Sequence, residues 1–117
     1  MTDNGVVTRH FKAGLRSNKG SIYEGGVRVP LFVRWPKHFP GGGRVEAQCS
    51  HVDLFPTFCE LAGVPLPDDR KIDGKSLLPL LKAGSGERHH QYVYHTWDRY
   101  FPNPNDRWSI SDQRWKL

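Results

Sequence analysis

Glycine and proline limit the length of every ordered element in this chain. The sequence has 12 glycines and 9 prolines in 117 residues, and both residue types bend or end helices and strands. Residues 1–26 are interrupted at five places and are predicted to be mostly loop: Gly5, Gly14, Gly20, Gly25 and Gly26. We therefore expect short elements, long connections and a modest core.

An apolar run at residues 27–35 predicts the first ordered element. The run is rich in β-branched and aromatic residues, is interrupted by Pro30 and ends at Pro36. This pattern is typical of a largely buried strand.

A helix is predicted over residues 53–63. Asp53 is its cap, Pro56 lies in its first turn and Gly63 is its stop signal. Helical periodicity then places five apolar residues on one face: Leu54, Phe55, Phe58, Leu61 and Ala62.

Three further elements are predicted in the second half of the chain. A short helix should begin at Ser76 and end at Gly84. Its Pro79 is compatible with a helix because it falls in the first turn, where proline is tolerated. Alternating side chains predict strands at residues 91–97 and 108–117, separated by a loop at residues 102–105. A strand followed by helices and more strands indicates an α/β or α+β class.

Composition and charge exclude several classes of protein. Hydrophobic residues make up 37% of the chain in short runs, so the chain is predicted to be neither disordered nor membrane-spanning. The net charge of +5 comes from lysines and arginines that are spread from Arg9 to Lys116 with acidic residues between them, and no stretch has five or more basic residues in a row. We therefore expect no nucleic-acid partner, and the basic excess suits a small anionic substrate.

The cysteines and histidines show no metal-binding spacing. Cys49 and Cys59 lie ten residues apart without a Cys-x-x-Cys or His-x-x-x-His pattern, so a zinc site is not expected. Cys59 fits a buried apolar position, and Cys49 precedes a helix start. Each of the six histidines is predicted to lie at the surface or beside a helix, and His51 and His95 are the two of most interest.

Two short segments carry candidate site residues, each with a simpler alternative. Asp3 and Asn4 offer adjacent hard oxygen ligands of the kind that Ca²⁺ or Mg²⁺ selects, but Asp-Asn-Gly is also a common turn sequence. Lys19 lies on a glycine-rich loop, where its ammonium group can bind an oxyanion or simply be solvated. From the residues alone, both alternatives stay open.

Four motifs in order resemble a known family. They are residues 2–5 (TDNG), 19–30 (KGSIYEGGVRVP), 51–57 (HVDLFPT) and 73–77 (DGKSL). Together they resemble the later part of the catalytic domain of formylglycine-dependent sulfatases, which are arylsulfatase-like enzymes of the alkaline-phosphatase superfamily.

The resemblance implies a fold and roles for three residues. It implies an α/β class, with residues 1–86 forming the later part of an alkaline-phosphatase-like α/β/α sandwich. Residues 87–117 would then begin a small antiparallel C-terminal subdomain. In this family the Asp-Asn pair ligates calcium, or alternatively magnesium, and the lysine contacts the sulfate. These roles fall on Asp3, Asn4 and Lys19.

The family's nucleophile motif is absent from this chain. Formylglycine forms from a Cys/Ser-x-Pro-x-Arg motif, and neither Cys49 nor Cys59 is followed by that pattern. We therefore expect formylglycine in an N-terminal part that the chain lacks. The site residues directly after Met1, and Leu117 inside a strand pattern, suggest a partial gene product. The isolated chain is expected to be inactive and unstable or aggregating.

The resemblance implies a sulfuric ester hydrolase acting on aryl or carbohydrate sulfates. Two alternatives stay open, a phosphate or phosphonate ester hydrolase of the same superfamily and a non-catalytic module that binds anionic glycans. The expected partner is a sulfate-ester substrate, without nucleic acid or a membrane span. No apolar run follows Met1 as a signal-peptide core would, and periplasmic or extracellular placement is implied by the family alone.

Overall fold

The computed structural model describes residues 1–7, 11–39, 41–84, 86, 89–98, 101 and 107–117. These residues form a small α/β structure of helices α1 (Glu24–Val27), α2 (Leu54–Ala62) and α3 (Leu78–Ala83), a 3₁₀ turn (His51–Asp53), and strands β1 (Val93–Thr96) and β2 (Trp108–Ser111). The chain divides into two compact units. The terminal unit is Met1–Val33 with Tyr94–Leu117, and the central unit is Arg34–Val93.

Helix α2 confirms the predicted helix and its stop signal. The 3₁₀ turn before it is closed by a capping box in which the Ser50 N–H donates to Asp53 Oδ2 at 2.8 Å. The helix ends at Gly63, whose φ of 66° is the left-handed conformation that glycine adopts without steric cost. Local sequence signals therefore determine both ends of this element.

Helix α3 confirms the second predicted helix. Pro79 lies in its first turn, and Gly84 ends it with a φ of 65°. The residues before it are tied to α2, because the Leu77 N–H donates to Thr57 Oγ1 at 2.8 Å and the Thr57 hydroxyl donates to the Asp53 carbonyl at 2.6 Å. Among the described residues of the central unit, Leu77, Leu78 and Val93 form the buried hydrophobic core.

The apolar face of α2 is not its buried face. Phe55 is 48% exposed and Phe58 is 61% exposed, whereas Asp53, Pro56 and Thr57 are buried. Thr57 makes the hydrogen bond to the segment before α3, so this side of the helix packs inward. Cys59, which was expected to be buried, is only partly so.

The prediction of a strand at residues 27–35 is wrong. Val27 ends α1, and residues 28–35 form no helix or strand. Phe32 is 86% exposed and Trp35 is 40% exposed, so the segment is also not buried. A strand needs a hydrogen-bonded neighbour, and the described residues provide none beside this segment.

The terminal unit contains a small sheet. Strand β1 pairs with β2, and the Trp97 N–H donates to the Arg107 carbonyl at 3.0 Å. The end of β1 thus lies beside the start of β2, which makes the pair antiparallel. Burial alternates along β1 from buried Val93 to exposed Tyr94, as predicted for the strand at residues 91–97.

The last predicted strand is shorter than expected. Strand β2 ends at Ser111, where the Asp112 carboxylate accepts the N–H groups of Arg114 and Trp115 and turns the chain. Leu117 then pairs with Ile110 through two backbone hydrogen bonds. The segment predicted as one strand is therefore a tight hairpin, and the predicted loop at residues 102–105 lies outside the described residues.

Across the described ranges, no helix has both the length and the apolar character needed to cross a membrane.

Candidate functional site

The predicted site residues Asp3, Asn4 and Lys19 lie on neighbouring loops of the terminal unit. Asp3 and Lys19 are exposed and Asn4 is half-buried. The Asn4 amide donates to the Asp3 carboxylate in a short hydrogen bond. An asparagine that donates through its nitrogen still presents its Oδ1 as an acceptor, so the pair offers hard oxygen atoms at one place.

Backbone hydrogen bonds hold the Asp3-Asn4 segment against the Lys19 loop. The Lys19 N–H donates to the Val6 carbonyl at 3.0 Å, and the Gly5 N–H donates to the Gly26 carbonyl at 2.9 Å. The Asn18 amide adds a longer hydrogen bond to the Val7 carbonyl at 3.4 Å. The structure therefore brings together the two segments that the sequence analysis singled out separately.

Close backbone packing explains the adjacent glycines of the 19–30 motif. A Cβ atom on Gly25 would overlap the Ser17 carbonyl, and one on Gly26 would overlap the Ser21 carbonyl. The Gly25 N–H donates to the Arg16 carbonyl at 2.8 Å, which closes the loop around Lys19. Glycine at both positions is thus a requirement of the loop's shape.

Two side-chain contacts border this loop. The Arg16 guanidinium lies 3.7 Å from the centroid of the Tyr23 ring, a cation–π distance. The Lys116 ammonium lies 3.0 Å from a Glu24 carboxylate oxygen, and this pair links the end of the chain to α1. Arg16 and Lys116 are thus engaged by an aromatic ring and a carboxylate.

A second cluster, in the central unit, was not anticipated. Asp53 is fully buried, and its carboxylate accepts the Ser50 N–H at 2.8 Å and the Lys75 N–H at 2.9 Å. His90 Nε2 lies 2.7 Å from Asp53 Oδ1, and His89 Nε2 lies 3.8 Å from Oδ2. Asp53 was predicted to cap α2, but its side chain makes no capping hydrogen bond to that helix, and Ser50 is instead the cap of the preceding 3₁₀ turn.

The cluster explains why two of the motifs occur together. Gly74 packs so closely on the 3₁₀ turn that a Cβ atom there would overlap the Val52 carbonyl, and this approach brings the Lys75 N–H to Asp53. His89 Nε2 also lies 3.1 Å from the Lys75 carbonyl. The 51–57 and 73–77 motifs therefore form one hydrogen-bonded unit.

The fully buried Asp53 also affects a nearby thiol. The pKa of Cys49 is raised to about 11, first because the thiol is half-buried and second because the negative charge of Asp53 opposes formation of the thiolate. A thiol with this pKa is protonated at neutral pH. Cys49 is therefore a poor nucleophile at neutral pH.

The histidine prediction was incomplete for a physical reason. His89 and His90 are partly buried and contact Asp53, which lies more than thirty residues earlier in the chain. Metal-ligand spacing rules detect ligands within one turn or loop, so they miss a set assembled by folding. His51, one of the two histidines of most interest in the sequence, is exposed at the start of the 3₁₀ turn.

Comparison with known proteins identifies the class first. The chain is 41% identical over 85 residues to steryl-sulfatase from Homo sapiens, and this match covers 73% of this chain and 15% of that protein. It is 42% identical over 97 residues to arylsulfatase A from Homo sapiens, and this match covers 79% of this chain and 18% of that protein. The chain is thus similar to a part of two human sulfatases.

A family comparison is more specific. The family described as N-sulphoglucosamine sulphohydrolase, C-terminal, matches residues 16–117. The chain belongs to this family, and the resemblance predicted from the four motifs is confirmed.

A solved structure supports the same conclusion. A protein in complex with its substrate D-glucosamine-2-N,6-O-disulfate superposes with a TM-score of 0.65 at 33% sequence identity. The match covers 81% of this chain and 20% of that chain. The chain spans less than one fifth of the two human sulfatases described above.

Proposed function

We propose that the protein containing this chain hydrolyses sulfuric esters of aryl or carbohydrate substrates. In this proposal Asp3 and Asn4 ligate Ca²⁺, or alternatively Mg²⁺, and the Lys19 ammonium contacts the sulfate. The observation that carries it is the pair of backbone hydrogen bonds that hold the Asp3-Asn4 segment against the Lys19 loop. Membership of a sulfatase family supports the reaction type.

The donor set fits a hard divalent cation. Carboxylate and amide oxygens are the ligands that Ca²⁺ prefers, but this cation typically takes six to eight oxygens. Asp3 and Asn4 would therefore supply part of the site, and the remaining ligands would come from outside this chain. Binding of Ca²⁺ by the chain alone is expected to be weak.

The contribution of this chain to catalysis would be electrostatic. A divalent cation beside an ammonium group stabilises negative charge on the oxygens of a sulfuryl group during its transfer. The Lys19 side chain is exposed and its backbone is held by Val6, so its ammonium is available to an anion while its Cα is fixed. Formylglycine, whose hydrate attacks sulfur, would be supplied by a Cys/Ser-x-Pro-x-Arg motif in the rest of the protein.

The wider setting is part of the same proposal. Residues 1–86 would complete an alkaline-phosphatase-like α/β/α sandwich, and residues 87–117 would begin an antiparallel subdomain. Placement in the periplasm or outside the cell is proposed from the family alone. A sulfated carbohydrate substrate is supported by the solved neighbour, whose own substrate is a disulfated glucosamine.

The test uses the longest natural protein that contains this sequence. Its kcat/KM is measured on 4-nitrophenyl sulfate, 4-nitrophenyl phosphate and a 6-O-sulfated glucosamine. We expect sulfate esters to be preferred and Lys19→Ala to lower kcat/KM by about 100-fold or more, as removal of one oxyanion-stabilising group does. Lys82→Ala, at an exposed lysine of α3, is the matched control.

The metal assignment has its own readout. Asp3→Ala should raise the Ca²⁺ concentration needed for half-maximal activity, whereas Lys19→Ala should lower activity at every Ca²⁺ concentration. Preference for the phosphate ester would establish the phosphohydrolase alternative. Binding of sulfated sugar without hydrolysis of any ester would establish the non-catalytic alternative.

A further inference from the structure

We propose that Asp53, His89 and His90 form a binding site for a divalent transition-metal ion of the zinc class. The three side chains each offer one ligand atom, and these atoms all lie within 4.8 Å of one another. Imidazole nitrogens and a carboxylate oxygen are among the ligands that Zn²⁺ takes in proteins. This site is independent of the proposed Ca²⁺ ligands Asp3 and Asn4.

The distances fit a tetrahedral ion after small side-chain movements. Zn–N and Zn–O bonds of roughly 2.0 to 2.2 Å at a tetrahedral angle place two ligand atoms about 3.3 Å apart. His90 Nε2 lies 2.7 Å from Asp53 Oδ1, and His89 Nε2 lies 3.8 Å from Asp53 Oδ2. These two distances end on different carboxylate oxygens, and the three ligand atoms lie within 4.8 Å of one another, so pairs of ligand atoms would have to approach by at most about 1.5 Å.

The carboxylate is already held in place by backbone donors. Ser50 and Lys75 donate their N–H groups to its two oxygens at 2.8 and 2.9 Å. A carboxylate oxygen can accept more than one hydrogen bond, and ligating carboxylates in metal sites are themselves hydrogen-bonded in this way. These two N–H groups would orient Asp53 for an ion without further rearrangement of the backbone.

Burial determines how an ion would reach the site. The Asp53 side chain is 0% exposed, whereas the side chains of His89 and His90 are 10% and 12% exposed. The ion would enter past the histidine rings, whose planes cross at 84° with centroids 4.9 Å apart. A water molecule on this side would complete a four-coordinate shell.

Besides these side-chain movements, binding requires a change of histidine tautomer. His90 Nε2 faces Asp53 Oδ1, and His89 Nε2 faces the Lys75 carbonyl. Because both oxygens are acceptors, each Nε2 is assigned as the N–H donor. With an ion bound, each neutral ring would carry that proton on Nδ1 and ligate through Nε2. The alternative role of the cluster is a hydrogen-bond network that excludes metal, and the experiment distinguishes the two.

The longest natural protein that contains this sequence is titrated with Co²⁺, followed by visible absorption, and then with competing Zn²⁺. We expect one Co²⁺ per chain with a spectrum typical of a four-coordinate site, displaced by Zn²⁺. His89→Ala and His90→Ala should each weaken binding by at least about tenfold, the effect seen even for loss of an outer-shell partner. His51→Ala, at an exposed histidine of the 3₁₀ turn, should bind as the parent protein does.

A peptide of residues 86–94 measures the affinity of the adjacent histidines without Asp53 and without His95. Binding by the protein that is at least about tenfold tighter than by this peptide supports the site. Absence of a four-coordinate spectrum, equal affinity of the protein and the peptide, or equal affinity of the parent and His90→Ala proteins would overturn it. Far-UV circular dichroism of each variant separates loss of a ligand from loss of α2 and α3.

Discussion

Each of the two units of this chain is stabilised by a different kind of interaction. The central unit has buried leucine and valine side chains and a fully buried Asp53 that collects hydrogen bonds from three segments. In the terminal unit, the buried positions among the described residues are Gly25, Gly26, Ser109 and Ser111. Its loops are held by backbone hydrogen bonds and close glycine packing instead.

This difference affects the proposed function. The candidate Ca²⁺ and sulfate ligands lie on the terminal unit, where few apolar side chains contribute to stability. Phe11 and Phe32 of that unit are 88% and 86% exposed. The predicted instability of the isolated chain stays a prediction, and a cooperative thermal transition of a soluble monomer would contradict it.

The largest effect is expected at Asp53. Asp53→Ala leaves the N–H groups of Ser50 and Lys75 and the His90 ring without their acceptor. Each buried donor left without its acceptor costs about 1–3 kcal/mol, so α2 and α3 should unfold at a much lower urea concentration. Asp53→Asn keeps one acceptor oxygen, so its urea midpoint should lie between those of the parent chain and Asp53→Ala. An unchanged urea midpoint for Asp53→Ala would show that the central unit does not depend on this network.

Cys49 provides a pH-dependent probe of the central unit. Its pKa of about 11 lies above the ordinary value of 9.0, because burial and the Asp53 charge disfavour the thiolate. The folded state thus favours the neutral thiol, and this contribution to stability is present below pH 9.0 and lost as pH rises toward about 11. In a Cys59→Ser background, Cys49 should react with a disulfide reagent at pH 8 about 100-fold more slowly than after unfolding. Equal rates would contradict the assigned environment.

A smaller effect is expected from the glycine packing of the terminal unit. Gly26→Ala introduces a methyl group that overlaps the Ser21 carbonyl, and overpacking of this kind costs about 1–3 kcal/mol. Amide hydrogen exchange at Gly5 and Lys19 should accelerate, since both amides depend on this arrangement. Gly41→Ala is the matched control, because a methyl group there would meet no atom within 4 Å. Similar exchange in the two variants would show that the loops tolerate displacement.

The smallest effect is expected for the Glu24–Lys116 ion pair. Glu24→Gln removes a partly exposed pair whose atoms lie 3.0 Å apart, and such pairs contribute about 0–1 kcal/mol. The loss in the free energy of unfolding should shrink further in high salt, because exposed charges are screened. A loss above about 2 kcal/mol would mean that the pair anchors the end of the chain to α1.

Much of the helical structure could be predicted from local signals. Pro56, Gly63, Pro79 and Gly84 bound two helices at the predicted places, because their backbone preferences act within a few residues. The candidate Asp3-Asn4 and Lys19 segments were also selected from sequence, but only through the order of four motifs in a known family. Their hydrogen-bonded proximity required the structure.

The sequence by itself determined the family, the helix ends and the alternation along β1. Only the tertiary structure decided that residues 28–35 pair with no strand, that β2 ends at Ser111, and that the polar side of α2 faces inward. It also decided that Asp53 meets two histidines more than thirty residues further along the chain. Helix ends depend on the preferences of neighbouring residues, whereas strand pairing and side-chain clusters depend on which distant segments the fold brings into contact.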